Sequence, residues 1–385
     1  MMPDPNAMIV FAPKESDPRE TRAAMNPDTA KKLVGLGYEV RVEAGIGLAS
    51  EHADADYEAA GAKVSADRDG ELGAADFVAR VNKPEADELA KLKDGAMHIS
   101  YMDPFNEGEL LKSMATSGAT GVSLEMIPRT TLAQKMDVIS SQANIAGYES
   151  VVVAAERLNK ILPMMMTPAG TISPAKVFVL GIGVAGLQAI ATAKRLGARV
   201  TAFDIRAEAL EQAESLGAKA LRIDLGETGS TDQGYAKELT PEQIAKQVEG
   251  QAKACADSEI VITTAKVFGR KAPVLISADV VKRMKRGSVI VDLAASETGG
   301  NVEGTVLDEE VVTDNGVRII GIGSIERRKP THSTQMFSSN IGNFLEHFWD
   351  EEEKAFKFDL EDEILKGCVL THGGEVVHER FVKTD

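Results

Sequence analysis

The chain has 385 residues, 43% hydrophobic and 26% charged, a composition that describes a soluble globular protein of two ordinary-sized domains. Its formal net charge of −16 argues against partners such as nucleic acid or anionic lipid, whose phosphates call for clustered Lys and Arg. Cys255 and Cys368 lie far apart without CxxC or Cys/His spacing, so neither a disulfide framework nor a metal site is expected, and a reducing cytosol fits them.

The opening Met1-Met2-Pro-Asp-Pro-Asn has neither the basic nor the apolar region of a signal peptide. Short apolar runs predict strands over 9–12, 39–42, 76–81, 96–101 and 120–123. Between them, 27–36 reads as a helix with Pro27 in its first turn and Gly37 ending it, and further helices are expected over 84–92 and 107–114. Strands alternating with helices mean a parallel sheet covered on both faces.

The stretch 128–144 gathers Arg129, Gln134, Asp137, Ser140 and Asn144 where the first series ends, on a connection expected to lead toward the cleft between domains. A carboxamide needs both a donor and an acceptor, which Gln134 and an Arg129–Asp137 pair can supply. A solvated loop with helix-capping residues explains the same composition equally well. A linking helix is expected over 144–158. The apolar stretch Ile161 to Met166 is far too short to span a bilayer.

The second αβ series opens on Lys176–Leu180, a continuous apolar run that reads as a buried parallel strand. It breaks at Gly181-x-Gly183-x-x-Gly186, continues as a helix and resumes as a strand ending in Asp204. In this pattern the first glycine makes the tight turn, the second lets a pyrophosphate approach the backbone, and the third lets helix and strand pack closely. The helix start supplies free N–H groups and a favourable dipole for phosphate, and Asp204 is placed to accept hydrogen bonds from ribose hydroxyls. Strand, turn, helix, strand and acid in order predict dinucleotide binding. Asp204 favours NAD over NADP, because a 2′-phosphate beside a carboxylate is repelled. Arg206, which in principle neutralises that phosphate, is read instead as an exposed strand-end residue or an adenine-stacking cation.

Further strands are expected over 218–221, 260–263, 288–293 and 318–322. The polar, Gly-rich segment 223–239 departs from the alternation; loops of this length inside a domain are lids or disordered insertions, and Tyr235 suggests a lid that docks something. A long helix over 331–349 and the acidic tail are expected to return to the first domain. The fold class is therefore α/β, two Rossmann-like domains with parallel sheets, the first completed by the C-terminal segment. The expected domains are 1–143 with 330–385, and 144–329 carrying a mobile loop at 223–239.

Several of these stretches resemble one family. Arg129 to Tyr148 resembles the Arg–Gln–Asp loop of the NAD(H)-binding component, domain I, of proton-translocating nicotinamide nucleotide transhydrogenase. Pro163-Met-Met-Met-Thr-Pro-Ala-Gly170, Gly181 to Gly197, Gly234-Tyr-Ala-Lys-Glu238, Thr263-Thr-Ala265, Val291-Asp-Leu-Ala294, Gly299-Gly-Asn301 and Pro330 to Phe344 are similar to the same family. The likeness spans nearly the whole chain. It implies Re/Si-specific hydride transfer between NAD(H) here and NADP(H) on a partner subunit, coupled to proton translocation through membrane-embedded subunits. It further implies a homodimer that does not itself insert into the membrane, cytoplasmic and peripheral at the inner face of the cytoplasmic membrane through those partners. Arg129, Gln134 and Asp137 would position the nicotinamide. With them, Val138, Ser140, Gly181, Gly183, Val184, Ala185, Gly186, Asp204, Ile205, Arg206, Gly234, Tyr235, Thr264 and Ala265 would bind the cofactor.

Alanine dehydrogenase shares the fold and is the rival reading. Both families open with a Pro-Lys-Glu and Arg pattern, seen here as Pro13-Lys14-Glu15 and Arg22. The catalytic Lys of alanine dehydrogenase, however, corresponds to Asn82 in Arg80-Val-Asn-Lys-Pro84, and His98 is out of register with its catalytic His. Oxidative deamination needs a cationic anchor and a proton acceptor, so that activity is disfavoured. The chain departs from the transhydrogenase pattern at Ala295-Ser-Glu-Thr298, and at Gly323 to Pro330, where three consecutive basic residues are expected to alter contacts with partners.

Overall fold

The computed structural model describes residues 7–226, 228, 239–266 and 268–382, which fall into two compact units. One comprises Met1–Gln142 with Arg327–Asp385, the other Ala143–Glu326. Both are α/β with Rossmann-like, predominantly parallel sheets, as expected.

Among the described residues, the first unit holds an eight-stranded sheet. Strands β1 (Ile9–Ala12), β2 (Glu39–Glu43), β3 (Lys63–Ser65), β4 (Phe77–Ala79), β5 (Met97–Ser100) and β6 (Thr120–Ser123) lie in the order β6-β5-β4-β1-β2-β3. All of these pairs are parallel. Two strands from the far end of the chain, Val369–His372 and Glu375–Val376, extend the sheet beyond β6 in the antiparallel sense. The C-terminal segment thus completes the first sheet, adding an antiparallel edge to the expected parallel one. Helix Pro27–Leu36 follows its sequence signals: Asn26 Oδ1 accepts from Thr29 N, Pro27 opens the first turn, and Gly37 ends it at φ 115°. Returning helix Pro330–His347 packs on it through small residues. Thr334 Oγ1 accepts from Ala23 N at 3.0 Å, Ser338 Oγ accepts from Asn26 N at 2.9 Å, and a Cβ on Gly342 would sit 2.7 Å from Thr29.

In the second unit, helix Val138–Arg157 leads to an exposed antiparallel hairpin, β7 (Met165–Thr167) and β8 (Gly170–Ile172). Among the described residues, its seven-stranded sheet contains β9 (Lys176–Leu180), β10 (Arg199–Phe203), β11 (Lys219–Ala220), β12 (Ile260–Thr263), β13 (Val289–Asp292), β14 (Glu309–Val312) and β15 (Arg318–Gly321). Their order is β11-β10-β9-β12-β13-β15-β14, antiparallel only where β14 meets β15. The apolar run of β9 divides by its two-residue period. Val177 and Val179 join a core with Val151, Ala189 and Ile190, from helices Val138–Arg157 and Val184–Arg195. Phe178 and Leu180 join another with Ala252, Cys255 and Val280, from helices Pro241–Asp257 and Ala278–Lys282. A strand buried on both faces has no room for polar alternation, hence the continuous hydrophobic signal.

Three expectations are corrected at element ends. The linking helix begins at Val138 rather than 144, because the Asp137 carboxylate accepts from Ser140 N and caps it. The helix expected over 84–92 is only Ala86–Leu89, and edge strand β11 pairs over two residues rather than four. No described helix is long and apolar enough to cross a membrane.

Candidate nucleotide-binding site

The glycine turn after β9 has the steric requirements its spacing predicts. Gly181 sits at φ 89°, and a Cβ there would lie 2.6 Å from Thr264 Oγ1. A Cβ on Gly186 would collide with the Gly181 carbonyl oxygen, so only glycine allows helix Val184–Arg195 to start this close to β9. A Cβ on Gly183 would meet no heavy atom within 4 Å, and Gly183 brings no capping side chain to that helix. This is the open approach a pyrophosphate needs beside uncapped helix N–H groups. Thr264 Oγ1 donates to Gly181 O at 2.9 Å, tying the end of β12 to the turn. Val184, Ala185, Ile205, Thr264 and Ala265 are all half-buried around it.

Asp204, just past β10, is buried against the same turn, and Oδ2 accepts from Ile182 N at 2.7 Å. Arg206 is not the exposed strand-end residue expected. Its Nε and backbone N each donate to Asp204 Oδ1 at 2.9 Å, and Nη2 donates to Oδ2 at 2.8 Å and to Ile182 O at 3.1 Å. The hydrogen bond to Asp204 raises the guanidinium's already high pKa. Two residues apart on a chain turning away from the strand end, the opposite charges fold back on each other.

Two residues to which the sequence alone gives no role organise this surface. Asp292, 0% exposed at the end of β13, accepts from Thr263 Oγ1, Ala294 N, Val302 N and Thr305 Oγ1 at 2.8–3.1 Å. Asn301, also 0% exposed, accepts from Ala265 N and donates to Ala265 O and Pro273 O. Between them they lock the loops that follow β12 and β13. An acid closing an apolar strand is a local signal for Asp292 alone, and most partners of both residues are distant in sequence.

In the first unit, Asp137 and Ser140 meet directly: Ser140 Oγ donates to Asp137 Oδ2 at 2.6 Å. Arg129 Nε stands 3.9 Å from the same oxygen, and Gln134 is exposed on the short turn Gln134–Met136 just before. The Val138 side chain is 0% exposed in the core, leaving only its backbone for a ligand. Gly234 and Tyr235 lie outside the described residues, as does most of 223–239.

The region matching the rival's amino-acid site is internally neutralised. Arg22 and Glu20 form a buried pair at 2.7 Å, and Arg22 also donates to Gln142. Burial alone would raise the Glu20 carboxyl, but the Arg22 hydrogen bonds and charge outweigh it and hold it below the ordinary range. Asn82 donates to Glu20 and, through its backbone, to Glu15, while buried Arg80 pairs with Glu15 and Glu88. His98, 1% exposed on β5, is pushed down to about 3 by burial and by the nearby Arg80 charge. It is a neutral core residue rather than a proton acceptor at a surface.

Known proteins agree with this architecture. Residues 11–146 match the alanine dehydrogenase/PNT N-terminal domain and residues 150–379 the alanine dehydrogenase/PNT C-terminal domain. The chain is 42% identical over 380 residues to the first part of the NAD(P) transhydrogenase alpha subunit of Rhodospirillum rubrum, covering 96% of this chain and 98% of that one. The structure of a transhydrogenase from Sinorhizobium meliloti superposes with TM-score 0.85 at 44% identity, over 96% of this chain and 100% of that one. An L-alanine dehydrogenase structure superposes with TM-score 0.80 at 25% identity, over 97% and 98%. The chain belongs to the alanine dehydrogenase/PNT family and, within it, to the NAD(P) transhydrogenase alpha subunits.

Proposed function

We propose that this chain is the NAD(H)-binding component of a proton-translocating transhydrogenase, exchanging hydride with NADP(H) held by a partner subunit. The observation that carries the reading is the glycine turn: an open Gly183 at an uncapped helix start, with Asp204 beside it. Gly183, Val184 and Ala185 would present the backbone to the pyrophosphate, Asp204, Ile205 and Arg206 would flank the adenosine ribose, and Thr264 and Ala265 would line the turn. NAD(H) itself supplies the hydride-carrying ring. Arg129, Gln134, Asp137 and Ser140 would hold the carboxamide of that ring, with Asp137 fixed by Ser140 and paired to Arg129. Hydride passing between two nicotinamides needs no general acid or base, so the protein's contribution is positioning and exclusion of water. The segment 223–239 would close over the nucleotide, with Tyr235 docking near it.

The domains are proposed as 1–143 with 330–385 and 144–329. The partners are proposed to be membrane-embedded transhydrogenase subunits, one of them carrying NADP(H), so that the chain sits peripherally at the inner face of the cytoplasmic membrane. A homodimer is proposed, supported by hairpin β7–β8, whose Met165, Met166 and Ile172 are 45%, 77% and 49% exposed. The test is direct. Purified chain is expected to bind NADH, to transfer hydride only when an NADP(H)-binding partner is added, and to produce no NADH from alanine. Alanine-dependent NADH production would overturn the reading.

A further inference from the structure

We infer that Arg206 is a masked anchor for a nucleotide 2′-phosphate, and that Asp204 excludes NADP(H) from this unit by holding Arg206 as well as by its own charge. The inference rests on the proposed reading of the glycine turn as a dinucleotide site.

Asp204 has two oxygens, and four donors point at them: Arg206 N and Nε at Oδ1, Arg206 Nη2 and Ile182 N at Oδ2. A carboxylate offers about four lone-pair sites, so Asp204 is fully engaged within the chain, and a ribose hydroxyl would take the place of one of these donors. The guanidinium is correspondingly engaged along the edge that bears Nε and Nη2, the geometry in which arginine grips an anion through two parallel bonds. Nη2 makes one more bond, to Ile182 O, which fastens the cation to the turn itself. A basic side chain next to the acidic position is what dinucleotide sites use to accept a 2′-phosphate. Here that side chain stands in place, 19% exposed, but the carboxylate occupies its binding edge. A 2′-phosphate arriving at this turn meets a carboxylate that repels it and an arginine whose Nε/Nη2 edge is already held by that carboxylate.

Asp204→Asn removes both effects at once, and a second substitution at Arg206 separates them. The amide oxygen still accepts from Ile182 N, so the turn keeps its support, while the negative charge that holds Arg206 is gone. The wild type, Asp204→Asn, Arg206→Ala, and the doubles Asp204→Asn/Arg206→Ala and Asp204→Asn/Arg206→Lys would be titrated with NADH and with NADPH by fluorescence. Thermal unfolding of each would show that it folds. Asp204→Asn is expected to tighten NADPH by roughly ten-fold or more, as a charge-assisted pair with phosphate implies, and to weaken NADH. The Arg206→Ala double should lose most of that gain and keep only the part due to relief of repulsion, and the Arg206→Lys double should keep more of it. Arg206→Ala alone should leave NADPH excluded, because the carboxylate remains. The NADPH gain should shrink as salt is raised. No gain in Asp204→Asn, or an equal gain with and without Arg206, would overturn the inference; the second result would mean that relief of repulsion is the whole effect. A wild type that binds neither nucleotide would instead defeat the dinucleotide reading, before any variant is compared.

Discussion

At Gly183 and Gly186 the same substitution is expected to have opposite consequences. Gly186→Ala drives a methyl into the Gly181 carbonyl oxygen, where backbone must move; a loss of roughly 1–3 kcal/mol is expected, read as a lower melting temperature. Gly183→Ala meets no heavy atom within 4 Å and has φ −86°, so the fold should keep its melting temperature while NADH affinity falls. A Gly183→Ala protein that bound NADH normally would remove the turn from the site. His98 gives a pH prediction. Its folded pKa, about 3, lies below the ordinary 6.5, so the unfolded chain takes up the proton first. Stability from this group is full above pH 6.5 and falls as pH drops toward 3, by about 1.5 kcal/mol between 6.5 and 5. In urea titrations at those two pH values, a His98→Gln protein should lose correspondingly less stability on acidification than the wild type.

Among the elements, helix Val138–Arg157 carries two roles at one residue, and they can be pulled apart. Asp137 caps the helix through Ser140 N and stands beside Arg129. Asp137→Ala removes both roles and should cost about 1 kcal/mol in thermal unfolding, the worth of a lost cap. Asp137→Asn keeps an acceptor for the cap but discards the charge; it should melt like the wild type yet slow hydride transfer when partner is present. Equal transfer rates for wild type and Asp137→Asn would make Asp137 a capping residue only. Hairpin β7–β8 is the corresponding test for association. Its exposed apolar side chains are supported by two short strands alone, which is marginal in water. Met166→Glu should shift the sedimentation mass from dimer toward monomer without lowering the melting temperature of the chain.

For the molecule as a whole, the features legible along the chain are those that depend on near neighbours. The continuous apolar run of β9, the glycine spacing after it, and the Asn26, Pro27 and Gly37 signals around the first long helix are local. Periodicity and turn chemistry act within a few residues, so they read directly. The α/β class and the family resemblance follow from such signals repeated in order along the chain. The tertiary structure decided whatever joins residues distant in sequence. Val369–His372 enters the first sheet as an antiparallel neighbour of β6 because Thr371 Oγ1 exchanges bonds with Gly121 N and Ala119 O, some 250 residues earlier. Edge strand β14, Glu-Glu-Val-Val, carries no apolar period and forms only because β15 offers a free edge, with Glu310 paired to Arg157 and Arg318. Asp292 and Asn301 take their importance from partners gathered from separate loops. Asp204 and Arg206 are only two residues apart, yet their pairing also needed the fold. Local chemistry supplies the opposite charges, but the Ile182 backbone, brought alongside by the packing of β9 against β10, is what fastens carboxylate and guanidinium at one turn.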